Sequence, residues 1–158
     1  MNITKTRREK KGFTIIEMVI ALVIISVILL VVVPLGQAAT DNSRISNAIA
    51  SIKAIQTAAV EWASDNGGQY TNITFTGANS MVATGYLPAN FNPAATNPWN
   101  GDYQIAVDAN DPETVDITLT NVPPSAGNKL VNALTKISSG NAVPAYNAAN
   151  STFMLALK

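Results

Sequence analysis

The first strong pattern along the chain is an apolar run. Phe13 to Val33 is 21 residues, of which only Thr14, Glu17 and Ser26 are polar. As a helix it spans about 31 Å at 1.5 Å per residue, roughly one bilayer core. A second pattern follows. Ile45, Ala48, Ile52, Ile55, Ala59 and Trp62 recur three or four residues apart, with Lys53, Thr57 and Glu61 on the opposite side. That spacing predicts an amphipathic helix over 41–66. Asn66-Gly67-Gly68 ends it with residues that tolerate positive φ. Periodicity is then lost over 69–101, a stretch rich in Asn, Gly, Pro, Ala and Thr. It reads as a long connecting loop with one short helix near 78–85. Period 2 takes over in Tyr103-Ile105-Val107 and again in Val115-Ile117-Leu119, which predicts two strands joined by a hairpin loop over 108–114. Pro123-Pro124-Ser125 stops the second strand and offers Ser125 as the N-cap of a short helix with Leu130, Leu134 and Ile137 on its apolar face. Ser138 to Asn141 reads as a loop, and Thr152 to Leu157 as a closing strand. A long helix followed by a strand pair, a helix and a final strand makes the fold class α+β.

Composition removes several kinds of chemistry. The 158 residues include no cysteine and no histidine. Disulfide frameworks, Cys/His zinc sites, cysteine nucleophiles and Ser-His-Asp triads are excluded. Ten basic and ten acidic residues give zero net charge, but the charge is segregated. Lys5, Arg7, Arg8, Lys10 and Lys11 against Glu9 make residues 1–12 net +4, and residues 13–158 are net −4. An acidic folded part argues against duplex DNA as its partner. A basic flank before the apolar run holds that end on the cytoplasmic side of a membrane.

An ordinary signal peptide would be one reading of this start. Its apolar core is usually shorter, and only Gly36-Gln37-Ala38 stands as a forced cleavage site. A plain signal anchor accounts for length and orientation but not for Glu17. An ionisable side chain inside an apolar span is costly and calls for a partner charge.

Lys10-Lys11-Gly12-Phe13-Thr14-Ile15-Ile16-Glu17 resembles the class III signal of type IV pilins and type II secretion pseudopilins, and the match covers about residues 8–40. The resemblance implies that a prepilin peptidase cuts between Gly12 and Phe13 and that Phe13 becomes an N-methylated first residue. It implies an assembly role for Glu17 and a helix-breaking role for Pro34 near the end of the span. It implies a long N-terminal helix whose outer half packs on a small, mainly antiparallel sheet. Residues 1–12 would be the removed leader, 13–40 the transmembrane and assembly helix, and 41–158 the globular domain. The precursor would sit in the bacterial inner membrane with its N-terminus cytoplasmic. The mature chain would join identical subunits in an extracellular filament, served by an inner-membrane assembly platform and minor pilins. Such a subunit is not an enzyme and needs no cofactor. Within the family, a pseudopilin of type II secretion or DNA uptake is the alternative. Outside it, the alternative is a single-span anchored binding module or enzyme. The Asn97-Pro98-Trp99-Asn100-Gly101 turn resembles a Pro-Trp-Gly-type segment found before the first sheet strand of several pilins. The region from Thr118 onward resembles type IVb pilins, although the leader is short and the usual C-terminal cysteine pair is missing.

The physical logic of this start stands apart from the resemblance. Cleavage on the cytoplasmic side leaves the apolar helix attached to the exported domain, so it can pass from lipid into a bundle of copies. In that bundle the new amine of one subunit would offset the desolvation of Glu17 on another.

Other candidate chemistry is thin. Asp108, Asp111, Glu113 and Asp116 form the main acidic cluster, and carboxylate oxygens in a loop are Ca²⁺ ligands by type. The EF-hand spacing fails at Pro112, so the cluster reads better as a solvated hairpin tip. Trp99 is a candidate ligand-stacking ring or, more simply, the cover of one end of a small core. Asn72-Ile73-Thr74 and Asn150-Ser151-Thr152 match the N-glycosylation pattern, which an exported bacterial protein seldom uses. No Gly-rich phosphate loop is present.

Overall fold

A computed structural model describes residues 13–137 and 143–158. The basic start expected to be a leader, with Gly12, and the loop expected over Ser138–Asn141 lie outside the described residues. Helix α1 runs Ile15–Asp65, followed by β1 (Tyr103–Val107), β2 (Val115–Leu119), α2 (Pro124–Ile137), β3 (Val143–Asn147) and β4 (Thr152–Leu157). The sheet order is β1-β2-β4-β3 with every neighbour antiparallel. This is an α+β, pilin-like fold. The chain divides into two compact units between Thr40 and Asp41, inside α1.

In the second unit every residue of the expected helical stripe is buried: Ile45, Ala48, Ile52, Ile55, Ala59 and Trp62. Lys53, Thr57 and Glu61 are exposed, so the 3.6-residue period has set the inward face. The helix stops where the Gly68 N–H donates back to the Ala63 carbonyl at 2.7 Å, with Gly67 at φ 73°. That six-residue closure needs a left-handed residue, and glycine adopts it without strain.

The sheet supplies the other wall of the same core. Val115, Ile117 and Leu119 of β2 and Phe153, Leu155 and Leu157 of β4 are all buried. They lie directly opposite one another, Val115 with Leu157, Ile117 with Leu155 and Leu119 with Phe153. The apolar alternation therefore fixes the register, because a slip of one residue would turn both sets to solvent.

Three expectations change. Strand β3 forms in a stretch whose sequence pattern does not predict one. It is an edge strand that buries no residue fully, and Pro144 is tolerated there because an edge needs hydrogen bonds on one side only. The cap of α2 is Pro123, whose carbonyl accepts from the Ala126 and Gly127 N–H groups. Pro124 takes the first helical position, where its missing N–H costs nothing, and Ser125 is already inside the helix. Leu130 and Leu134 of the expected apolar face are buried, together with Ala126, and the side chain of Ile137 lies outside the description. The short helix expected near 78–85 is a series of turns. The Met81 N–H donates to Thr74 and not into a helical ladder, the Ser80 hydroxyl takes the Ala83 N–H, and Gly77 and Gly85 hold positive φ. Met81, Leu87, Phe75 and Tyr70 of this loop are buried in the core all the same.

Among the described residues no helix is long and apolar enough to cross a membrane. The side chains at 31 and 33–37 are outside the description.

The turn before β1 is tied down by one amide. Asn97, 3% exposed, donates from Nδ2 to the Thr120 carbonyl at 2.7 Å. Its Oδ1 accepts from the Trp99 and Gly101 N–H groups at 2.9 and 2.8 Å. Gly101 must be glycine here, because a Cβ would lie 2.1 Å from the Thr120 carbonyl oxygen. Trp99 is half-buried against the core, in keeping with a covering role.

Candidate functional site

The residues singled out from the sequence fall at the head of α1. Phe13 is 84% exposed and precedes the helix. Thr14 is its N-cap and Glu17 stands in its first turn. The two residues bind reciprocally. The Thr14 N–H and the Thr14 hydroxyl both donate to Glu17 Oε2 at 2.9 Å. The Glu17 N–H donates to Thr14 Oγ1 at 3.3 Å. This is a capping box: two orphan backbone donors at the helix start are satisfied by the two side chains in exchange. A carboxylate at this end is also favoured by the helix dipole.

By sequence Glu17 is a lone charge in an apolar run, in want of a cation from another chain. The structure gives it a polar partner within its own chain. Thr14 interrupts the apolar run as a polar residue, and the Thr-x-x-Glu spacing before an apolar stretch is itself the signature of the box. The Phe13 nitrogen is the next backbone nitrogen before the one Glu17 already holds. Glu17 Oε1 carries no hydrogen bond among the described residues, so the carboxylate keeps acceptor capacity.

The rest of this unit is an apolar surface. Ile15 is 86% and Leu30 80% exposed, and Met18, Leu22, Ile25 and Leu29 are exposed between them. Ser26 does not interrupt the surface, since its hydroxyl is returned to the Leu22 carbonyl at 2.7 Å. Pro34 lies within α1, and the helix is unbroken at that position.

The acidic cluster is not gathered into a site. Among the described residues no group of three or more acidic side chains is placed to hold a metal ion. Asp111 Oδ2 pairs with Lys158 Nζ at 3.0 Å, and this ammonium holds the Asp111 carboxyl below its ordinary range. The carboxylate raises the Lys158 ammonium in return. Asp108 and Asp111 also accept from the Asn110 and Glu113 N–H groups, as hairpin-loop aspartates do. Asp116 is pushed up by partial burial and then by Asp108.

Comparison with known proteins bears on the head of α1. The prokaryotic N-terminal methylation motif matches residues 7–33. The motif is characteristic of type IV pilins and pseudopilins, and it is a structural motif, not one of an enzyme class. It covers Gly12, Phe13, Thr14 and Glu17 together. No curated protein matches the chain.

Proposed function

We propose that this chain, a type IV pilin or pseudopilin-like protein by its methylation motif, is a prepilin that is cut, N-methylated and polymerised into an extracellular pilus filament. Residues 1–12 are the leader, 13–40 the membrane and assembly helix, and 41–158 the exported domain. The observation that carries this reading is the coincidence of the motif at 7–33 with a helix surface left apolar and exposed in the single chain. A monomeric soluble protein does not leave a continuous patch of that kind uncovered. Lipid covers it in the precursor, and other copies cover it in the filament. Thr14 and Glu17 keep the head of the helix formed in both settings. After cleavage the Phe13 amine of a neighbouring subunit docks on Glu17, which offsets the desolvation of both charges and sets the axial register.

Mass spectrometry of the mature N-terminus is the direct test. The expected chain starts at Phe13 with one added methyl group. A start near Ala38 would mean an ordinary signal cut and would end the reading. Gly12→Val should leave uncut chain in the membrane, because a branched side chain replaces the smallest one at the cut. Glu17→Ala should be cut normally yet give few filaments. Glu17→Gln separates cap from charge, since its amide oxygen still accepts from the Thr14 N–H. It should also assemble poorly; normal filament numbers would mean that the cap alone matters. Sheared surface material from wild-type and deletion strains, viewed by electron microscopy, separates a surface pilus from a pseudopilus confined to the envelope.

A further inference from the structure

The exported domain contains a polar cavity that the assembly reading does not use. It has a volume of about 390 Å³ and lies where the end of α1 meets the connecting loop. That volume is within the usual range for small-molecule sites. Trp62 and Tyr86 contribute its aromatic surface, and their rings meet edge to face with centroids 5.5 Å apart. The Tyr86 hydroxyl donates to Asp65 Oδ2 at 2.5 Å, so the ring is fixed before any ligand arrives. Trp62 is more than nine-tenths buried, and its indole N–H has no hydrogen-bond partner among the described residues. A buried donor left unpaired is uncommon and costs stability.

The remaining lining is uncharged. Asn72 and Asn79 make no side-chain hydrogen bond among the described residues, so each offers a full amide, with two donors and an acceptor. Thr84 has committed its hydroxyl proton to the Ser80 carbonyl, and Asn66 one amide proton to the Trp62 carbonyl. Both keep oxygen lone pairs towards a ligand. The lining includes no lysine or arginine, while Asp65 and Glu61 both bear on Tyr86. An anion is therefore disfavoured. The complement to intact amides, acceptor oxygens and a fixed aromatic ring is a ligand with many hydroxyls and one apolar C–H face.

We propose that this cavity binds a neutral pyranose sugar, with the Tyr86 ring stacked on its apolar face and the Asn72 and Asn79 amides taking its hydroxyls. The site belongs to the exported domain and does not depend on how the chain assembles. Its affinity for a single sugar unit is modest, because the contact is small and open to water, and repetition along a filament would multiply it.

The chain has two tryptophans, and only Trp62 lines the cavity. The full ¹⁵N-labelled chain in a polyoxyethylene detergent, free of sugar and ammonium groups, gives one indole N–H signal for each. Methyl glycosides of glucose, galactose and N-acetylglucosamine are the probes. At least one should shift the Trp62 signal saturably, with half-saturation on the order of 1 mM, and leave Trp99 unmoved. Asn79→Ala should weaken that sugar about tenfold, the loss of roughly one hydrogen bond. Asn79 is exposed and has no partners to lose, so this variant keeps the fold even if Tyr86→Ala does not. The proposal is overturned if none of the three sugars shifts Trp62, or if both indoles shift alike. It is equally overturned if Asn79→Ala binds as the parent does, or if tetramethylammonium saturates the site and the sugars do not.

Discussion

Asn97→Ala removes the amide that holds the turn before β1 to the end of β2. Three backbone groups lose their partner: the N–H of Gly101, the N–H of Trp99 and the carbonyl of Thr120. Trp99 is only half-buried, so water can take over its N–H. The other two cannot be rescued as easily, because Gly101 is buried and its α-carbon is already packed on Thr120. At about 1–2 kcal/mol for each buried group left unsatisfied, the expected loss is about 3 kcal/mol. Among the described residues the buried core lies entirely within 41–158, so a fragment starting at Asp41 is the right vehicle. Urea unfolding followed by tryptophan fluorescence and far-ultraviolet circular dichroism should show the midpoint falling by roughly 2 M. The thermal midpoint should fall by roughly 12 °C. Asn97→Asp gives a second reading. It keeps the acceptor for the two N–H groups but sets a carboxylate against the Thr120 carbonyl, so its deficit should shrink on acidification, when the acid becomes a donor. A loss below about 1 kcal/mol for Asn97→Ala, with no pH dependence for Asn97→Asp, would refute the tie.

Three further outcomes are expected. The fragment from Asp41 should itself be soluble, with a mixed helix and strand spectrum, and reducing agent should not change its melting, since the chain has no cysteine; an all-helical or unfolded spectrum would be inconsistent with the fold. Phe153→Ala should cost about 3–5 kcal/mol, because the ring is fully buried between Leu119 and Tyr146, whereas Met154→Ala, 39% exposed on the other face, should change stability by less than about 0.5 kcal/mol; similar losses in the two would mean the register is wrong. The Asp111–Lys158 pair should give a small, salt-sensitive stabilisation, being exposed. Asp111 is depressed, so its share is present above the unfolded carboxyl value of 3.8 and is lost as pH falls through the lower folded value. Lys158 is raised, so its share is present below 10.5 and is lost as pH rises through the higher folded value. Lys158→Met should therefore melt slightly below the parent between these limits and with it in acid; a gap that persists in acid would assign the effect to something other than the pair.

The parts of this protein that are legible in one dimension are those governed by local rules. A 3.6-residue stripe from Ile45 to Trp62 has to face a core, a period of 2 in β1 and β2 has to face the same core, and glycines after Asn66 have to release the helix. The basic start, the apolar run and Glu17 are likewise a pattern of residues close together in the chain, which is why the methylation motif at residues 7–33 is legible without the fold. Other features come into being only when distant segments meet. Strand β3 has too little apolar contrast to announce itself and exists because β4 offers it an unpaired edge. The loop around Met81 abandons its helical turn because Thr74 and the core compete for its backbone and side chain. Asn97 is an ordinary turn residue by sequence and becomes a buried tie only once β2 brings the Thr120 carbonyl beside it. Trp62 shows both halves of the lesson. Its burial follows from its place in the stripe, but its unpaired indole, its contact with Tyr86 and the amide-lined cavity depend on how the loop from Tyr70 to Leu87 folds back over the helix end. Periodicity fixes which face of an element turns inward, and hydrogen-bond partners far apart in the chain are decided by packing alone.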